Sequence, residues 1–136
     1  MSQTAIGLTL QKSVKIYDPR QFKIPKPLLR QLSEAGVTEL IWGLIPFSPA
    51  CLLCVPEFWP TWIESLKIQS PPLIHYSEAD RYMEPVSEPI KPYGKITIPK
   101  IVMEYIKGKE GEDERLICIG KDYFIKMYKD VHAENN

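Results

Sequence analysis

Apolar positions follow two alternating periods along this chain, and the switch from one to the other falls at proline. Lys95-Ile96-Thr97-Ile98 alternates polar and apolar, the period of a half-buried strand. Pro99 ends the alternation, and Ile101, Val102, Tyr105 and Ile106 follow at helical spacing, predicting a helix that ends at Gly108. The same order occurs earlier in "FKIPKPLLRQL", Phe22 to Leu32. There Phe22-Lys23-Ile24 is a short strand, and Pro25 and Pro27 can occupy a first helical turn, where a missing N–H costs nothing. Leu28, Leu29 and Leu32 form the apolar side of that helix, and Gly36 suits its C-terminal cap.

The rest of the pattern fits around these two segments. Residues 1–11 read as a loose lead or an edge strand, and Val14–Tyr17 as a strand turned by Asp18-Pro19. Glu39–Leu44 and Ala50–Val55 are apolar runs of strand length joined by "IPFSP", which predicts a buried hairpin. In "EFWPTWIESLKI", Phe58, Trp59, Trp62, Ile63 and Leu66 share one helical face, and such a stripe packs inward. Gln69 to Ile90 is proline-punctuated connector, with a strand expected near Leu73–Tyr76 and a helical turn near Ser77–Tyr82. Strands at Arg115–Gly120 and Tyr123–Tyr128 complete the second half.

The order thus repeats: basic residue, strand, Ile-Pro-Lys, short helix, apolar hairpin. The expected organisation is one domain, 1–136, with pseudo-repeat halves at about 13–68 and 90–130 and a connector at 69–89. Each half is too small to bury a core alone, so the two are expected to interlock. The fold class is α+β, mostly β: two tandem β-α-β-β halves with short helices, related by a pseudo-two-fold.

Composition changes this picture little. The 136 residues are 44% hydrophobic and 25% charged, ordinary globular values. No apolar run approaches the length of a membrane span, and the N-terminus lacks the pattern of a secretory signal, so a cytoplasmic protein without a membrane partner is expected. Net charge is zero, yet its distribution is uneven. Lys12 to Arg30 holds six basic residues and one acid, and Lys91 to Lys109 holds five and one. Glu57 to Glu88 holds six acids against two basic residues. Positive charge therefore gathers around both Ile-Pro-Lys segments.

Candidate chemistry is sparse. Cys51, Cys54 and Cys118 are odd in number, which disfavours a disulfide framework. Cys51-Leu-Leu-Cys54 lies in a strand, where residues three apart face opposite ways, and no second ligand pair completes a metal site. His75 and His132 are isolated, and no glycine-rich phosphate loop is present. We expect no enzyme, metal, cofactor or small-molecule substrate.

"YGKITIPKIVMEYI", followed by "RLICIGKDYFIKMY", resembles the second half of MraZ proteins, and "ACLLCVPEFWPTWIESL" is similar to part of the first. The likeness runs over roughly residues 13–130, and its Ile-Pro-helix element is shared with AbrB and MazE relatives. The resemblance implies a swapped-hairpin, double-split β-barrel. It further implies a bacterial transcription regulator, cytoplasmic and nucleoid-associated, that binds double-stranded DNA and self-associates into a dimer or ring. Each half of such proteins presents Asp-x-x-x-Arg to DNA. Here Lys91 and Lys95 stand at the two positions of the second half, in "KPYGK". In the first half Asp18 is followed by Pro-Arg-Gln-Phe, one residue short when aligned on Ile24-Pro25. Lysine keeps the charge but lacks the planar fork that reads guanine, so gripping phosphate is expected to outlast base reading. The expected DNA contacts are Arg20, Lys23, Lys26, Lys91, Lys95 and Lys100. An oligomeric assembly module or antitoxin-type protein is the other class these features fit.

Overall fold

The computed structural model describes residues 10–17, 20–46, 48–68, 84–107, 115–121 and 124–129. The first half contains β1 (Leu10–Lys15), β2 (Gln21–Lys23), α1 (Lys26–Glu34), β3 (Glu39–Leu44), β4 (Ala50–Cys54) and α2 (Trp59–Ile68). The second contains β5 (Val86–Pro89), β6 (Lys95–Thr97), α3 (Lys100–Tyr105), β7 (Arg115–Lys121) and β8 (Phe124–Lys129). The molecule is mostly β with short helices, an α+β class built on a six-stranded open sheet and a two-stranded ribbon. Among the described residues no helix is long and apolar enough to cross a membrane.

The sheet order is β1-β7-β8-β4-β3-β5, with β2-β6 forming the ribbon. Exchange of the halves sends β1 to β5, β3 to β7 and β4 to β8, and the order then reads the same backwards. Backbone hydrogen bonds repeat the relationship. Tyr17 bridges Gln21 as Lys91 bridges Lys95. The Ile24 amide donates to Gly94 O at 3.0 Å, and the Ile98 amide donates to Arg20 O at 2.7 Å. Pro25 caps α1 as Pro99 caps α3, each with extended ψ.

The halves are interleaved rather than merely adjacent. β1 pairs along its whole length with β7, and β5 pairs with β3. β5 was not expected. Val86–Pro89 falls in what reads as connector, and pairing with Glu39–Trp42, not its own pattern, makes it a strand. The strand near Leu73–Tyr76 and the turn near Ser77–Tyr82 lie outside the described residues.

One core lies between the sheet, the ribbon and the two Ile-Pro helices. Phe22 and Ile96 enter it from the ribbon, Ile24 and Ile98 from the residues just after its strands, Leu28 and Leu32 from α1, and Val102 and the C-cap residue Ile106 from α3. Trp42 of β3 is fully buried there and meets Phe22 edge to face, centroids 6.1 Å apart. Such a pair contributes about 0.5–1.5 kcal/mol beyond its burial. A second, smaller cluster covers the opposite face of the sheet, where Trp59 of α2 packs on Leu52 and Cys54. The aromatic stripe of α2 therefore lies on its own sheet. It also explains why β4 reads as an unbroken apolar run: both of its faces are covered. Cys51 joins the first cluster and Cys54 the second, on opposite faces as their spacing requires.

The two helices end by the same device with different residues. Gly36 lies in the left-handed region after α1, at φ 74°, and the Gly36 and Val37 amides donate to Ser33 O and Leu32 O. This is the Schellman pattern. After α3 the left-handed residue is Lys107, at φ 60°, with its amide donating to Glu104 O. The helix thus closes one residue before Gly108, the residue that the sequence pattern marks.

Candidate functional site

The ribbon brings the lysines of the two halves together. Phe22 and Ile96 are Cα partners and both are fully buried, so alternation turns their neighbours the other way. Gln21, Lys23, Lys95 and Thr97 therefore share the face directed away from the core. On that face Lys23 is the direct cross-strand partner of Lys95. Like charges placed directly opposite destabilise a strand pair. Lys91 joins them from the loop before β6: its ammonium donates to Thr97 Oγ1 at 2.9 Å. The Lys23 ammonium lies 5.8 Å from the centroid of the Tyr17 ring.

The remaining expected contacts flank this face. Lys26 and Lys100 are the first residues of α1 and α3, both exposed, and neither helix has an acid in its first turn. A cation there opposes the positive end of the helix dipole, a small cost that an anion outside would reverse. Arg20 sits at the opposite end of β2, where its Nε donates to Ile98 O at 3.1 Å beside Pro99. It straps the ribbon to the start of α3, so part of its donor fork already holds the fold.

The bridges correct the alignment of the two basic loops. Tyr17 to Gln21 matches Lys91 to Lys95 with equal length, so the first loop is not short. Tyr17 and Gln21 occupy the positions that Lys91 and Lys95 hold in the second half. Asp18 does not fall on the position of Lys91, and it lies outside the described residues. The first loop is therefore polar and aromatic at the two motif positions, and the second is doubly cationic.

Tyr93 is a component that sequence reasoning missed. It is 85% exposed and holds φ 66° in the loop before β6. Gly94 follows at φ 78°, where an added Cβ would stand 2.6 Å from Leu29 Cδ2. An isolated tyrosine in "KPYGK" carries no periodic signal, so only the folded loop displays it.

The thiols lie buried in the apolar clusters rather than on this surface. Burial raises Cys54 and Cys118 from the ordinary 9.0 to about 12, and Cys51, which also faces Cys118, is raised too. All three are free and buried. Among the described residues no group of three His, Cys, Asp or Glu side chains could hold a metal. His75 and His132 lie outside the described residues. In comparison with known proteins, no family model matches the chain, and no curated protein matches it.

Proposed function

We propose that the outward face of the β2–β6 ribbon binds double-stranded DNA, and that the chain is a transcription regulator resembling MraZ. The observation that carries this reading is the cross-strand placement of Lys23 against Lys95, with Lys91 beside them. A free protein gains nothing from two opposed ammonium groups, whereas a phosphate between them neutralises both. In this reading the sheet and ribbon form the double-split barrel of the AbrB-like proteins. The strand order, which reads the same from either end, and the paired Ile-Pro elements support that assignment.

Lys23, Lys26, Lys91, Lys95 and Lys100 contact backbone phosphates, and Arg20 chiefly orients the ribbon. Tyr17, Gln21, Lys91 and Lys95 contain no arginine fork, so binding is backbone-directed with little base preference. Self-association into a dimer or ring would repeat the ribbon along the duplex.

Filter binding of a labelled duplex at low and at moderate salt tests the reading. Retention at low salt, lost at moderate salt and indifferent to sequence, is expected. No retention at low salt overturns it, and light scattering in the same buffers reads the oligomer.

A further inference from the structure

A cleft of about 520 Å³ opens between β1, β2 and the first turn of α1. That volume falls within the roughly 300–1,000 Å³ typical of small-ligand sites. Lys15, Lys23 and Lys26 line it together with Tyr17 and Tyr93, and Ile24 and Leu29 supply apolar surface. No carboxylate is among the described residues that line it. Lys15 is also the cross-strand partner of Arg115, a second pair of like charges across a ladder.

Both tyrosines present ring surface to solvent, Tyr93 at 85% and Tyr17 at 40% exposure. Burial does not explain either ring, and Tyr93 is held in a backbone region that L residues other than Asn and Asp rarely adopt. Nor does the repeat require this set. Counting from Tyr17 and Lys91, the positions matching Lys15, Tyr17 and Lys23 in the second half hold Pro89, Lys91 and Thr97. The position matching Tyr93 in the first half holds Pro19. Aromatic rings and lysines converge on one cleft, formed by the first half and completed by Tyr93 from the second.

We propose that this cleft is a nucleotide site, in which Tyr93 and Tyr17 stack on a base and the lysines hold its phosphate. The chemistry required is a planar base joined to a phosphate, supplied either by a free nucleotide or by one residue of an unpaired strand. Aromatic stacking accepts any base, and ammonium groups accept any phosphate, so the site discriminates ring-plus-phosphate from either part alone. Lys23 and Lys26 belong to both surfaces, whereas Lys15, Tyr17 and Tyr93 line only the cleft and Lys95 only the duplex-binding face, so variants at these positions tell the two apart.

An amide-resolved NMR titration of the whole chain tests the proposal with adenosine monophosphate, adenosine, ribose 5-phosphate and an oligodeoxyadenylate. Saturable shifts at Ile24, Lys26 and Tyr93 with adenosine monophosphate are expected, with each half-ligand at least about tenfold weaker. Y93A and K15Q, both at exposed positions, should each weaken the nucleotide about five- to tenfold. K95Q should leave nucleotide affinity unchanged while weakening duplex binding. An affinity per site equal for nucleotide and oligomer assigns the free ligand; about tenfold tighter oligomer binding assigns the unpaired strand. Absence of saturable binding by both, or binding indifferent to both Y93A and K15Q, overturns the proposal. Nucleotide binding without duplex binding sinks only the duplex reading.

Discussion

Lys23 and Lys95 face each other across the β2–β6 ribbon, Cα opposite Cα, on the side turned away from Phe22 and Ile96. Their charges repel, so the ribbon gives up stability at the place where its function is proposed. Lys95→Glu turns the pair attractive. It should raise stability by about 0.2–1 kcal/mol in a denaturant titration. The same variant should lower duplex retention by at least about tenfold, since one phosphate contact becomes a repulsion. Stability and binding moving together in either direction would contradict this placement.

Salt dependence counts the contacts. If about four of the five lysines reach phosphates, the slope of log affinity against log salt is about −3.6. Affinity then falls roughly a hundredfold over a fourfold rise in salt. Lys91→Gln should reduce that slope by about one, measured by fluorescence anisotropy on a fixed duplex.

Lys107 and Gly36 offer a paired test of the helix ends. Lys107→Gly should raise stability by about 0.5–1 kcal/mol, because glycine adopts φ 60° without a Cβ penalty. A shift of roughly 2–4 °C in melting temperature is the expected reading. Gly36→Ala should cost about 1 kcal/mol in the opposite sense, from backbone strain alone, since its added Cβ meets nothing within 4 Å.

Gly43 and Gly94 separate close packing from strain. A Cβ on Gly43 would lie 2.8 Å from Trp59 Cζ3, so Gly43→Ala should lift α2 from the sheet and cost about 1–3 kcal/mol. Gly94→Ala adds a left-handed φ to a 2.6 Å approach on Leu29. Its cost should be similar in denaturant, and it should also move Lys91 and Tyr93 and weaken duplex binding. Gly43→Ala, whose neighbours are Trp59 and Trp62 of α2, should leave binding per folded molecule unchanged.

The thiols set an alkaline limit. Folding raises Cys54 and Cys118 from 9.0 to about 12 by burial, so the folded state keeps protons that the unfolded chain releases. Their contribution is complete below pH 9 and declines as pH climbs toward 12, by about 1.4 kcal/mol per pH unit per thiol. Melting temperature should therefore fall between pH 9 and 11. At pH 8 a thiol reagent should stay unreacted with the folded protein and titrate all three cysteines once denaturant is added.

How far the pattern reveals the fold depends on where each segment's reason to exist lies. β3 and β4 carry theirs internally, as apolar runs bounded by proline and polar turns, and β8 as an alternation of apolar residues with Lys126 and Lys129. Val86–Pro89 does not: four residues that follow one proline and end on another become a strand only because β3 offers an edge. The helix end at Lys107 was hidden by Gly108, the residue with the stronger local signal. For the site, the six basic positions were visible as charge, and the Lys23–Lys95 opposition was not, because register between segments so far apart is a tertiary property. Tyr93 and the equivalence of Tyr17 with Lys91 depend on loop geometry, which periodicity does not encode.

The interleaved strand order also has a consequence in time. Lys23 emerges from the ribosome 72 positions before Lys95, the residue that completes its ribbon. At about 5–20 residues per second the nascent β2 waits roughly 4–14 s for its mate. β1 waits longer still, since 100 positions separate Lys15 from Arg115, its partner in β7. Until then the growing chain holds α1 and the core-facing side of the β3–β4 hairpin bare, the kind of nascent species that draws chaperones.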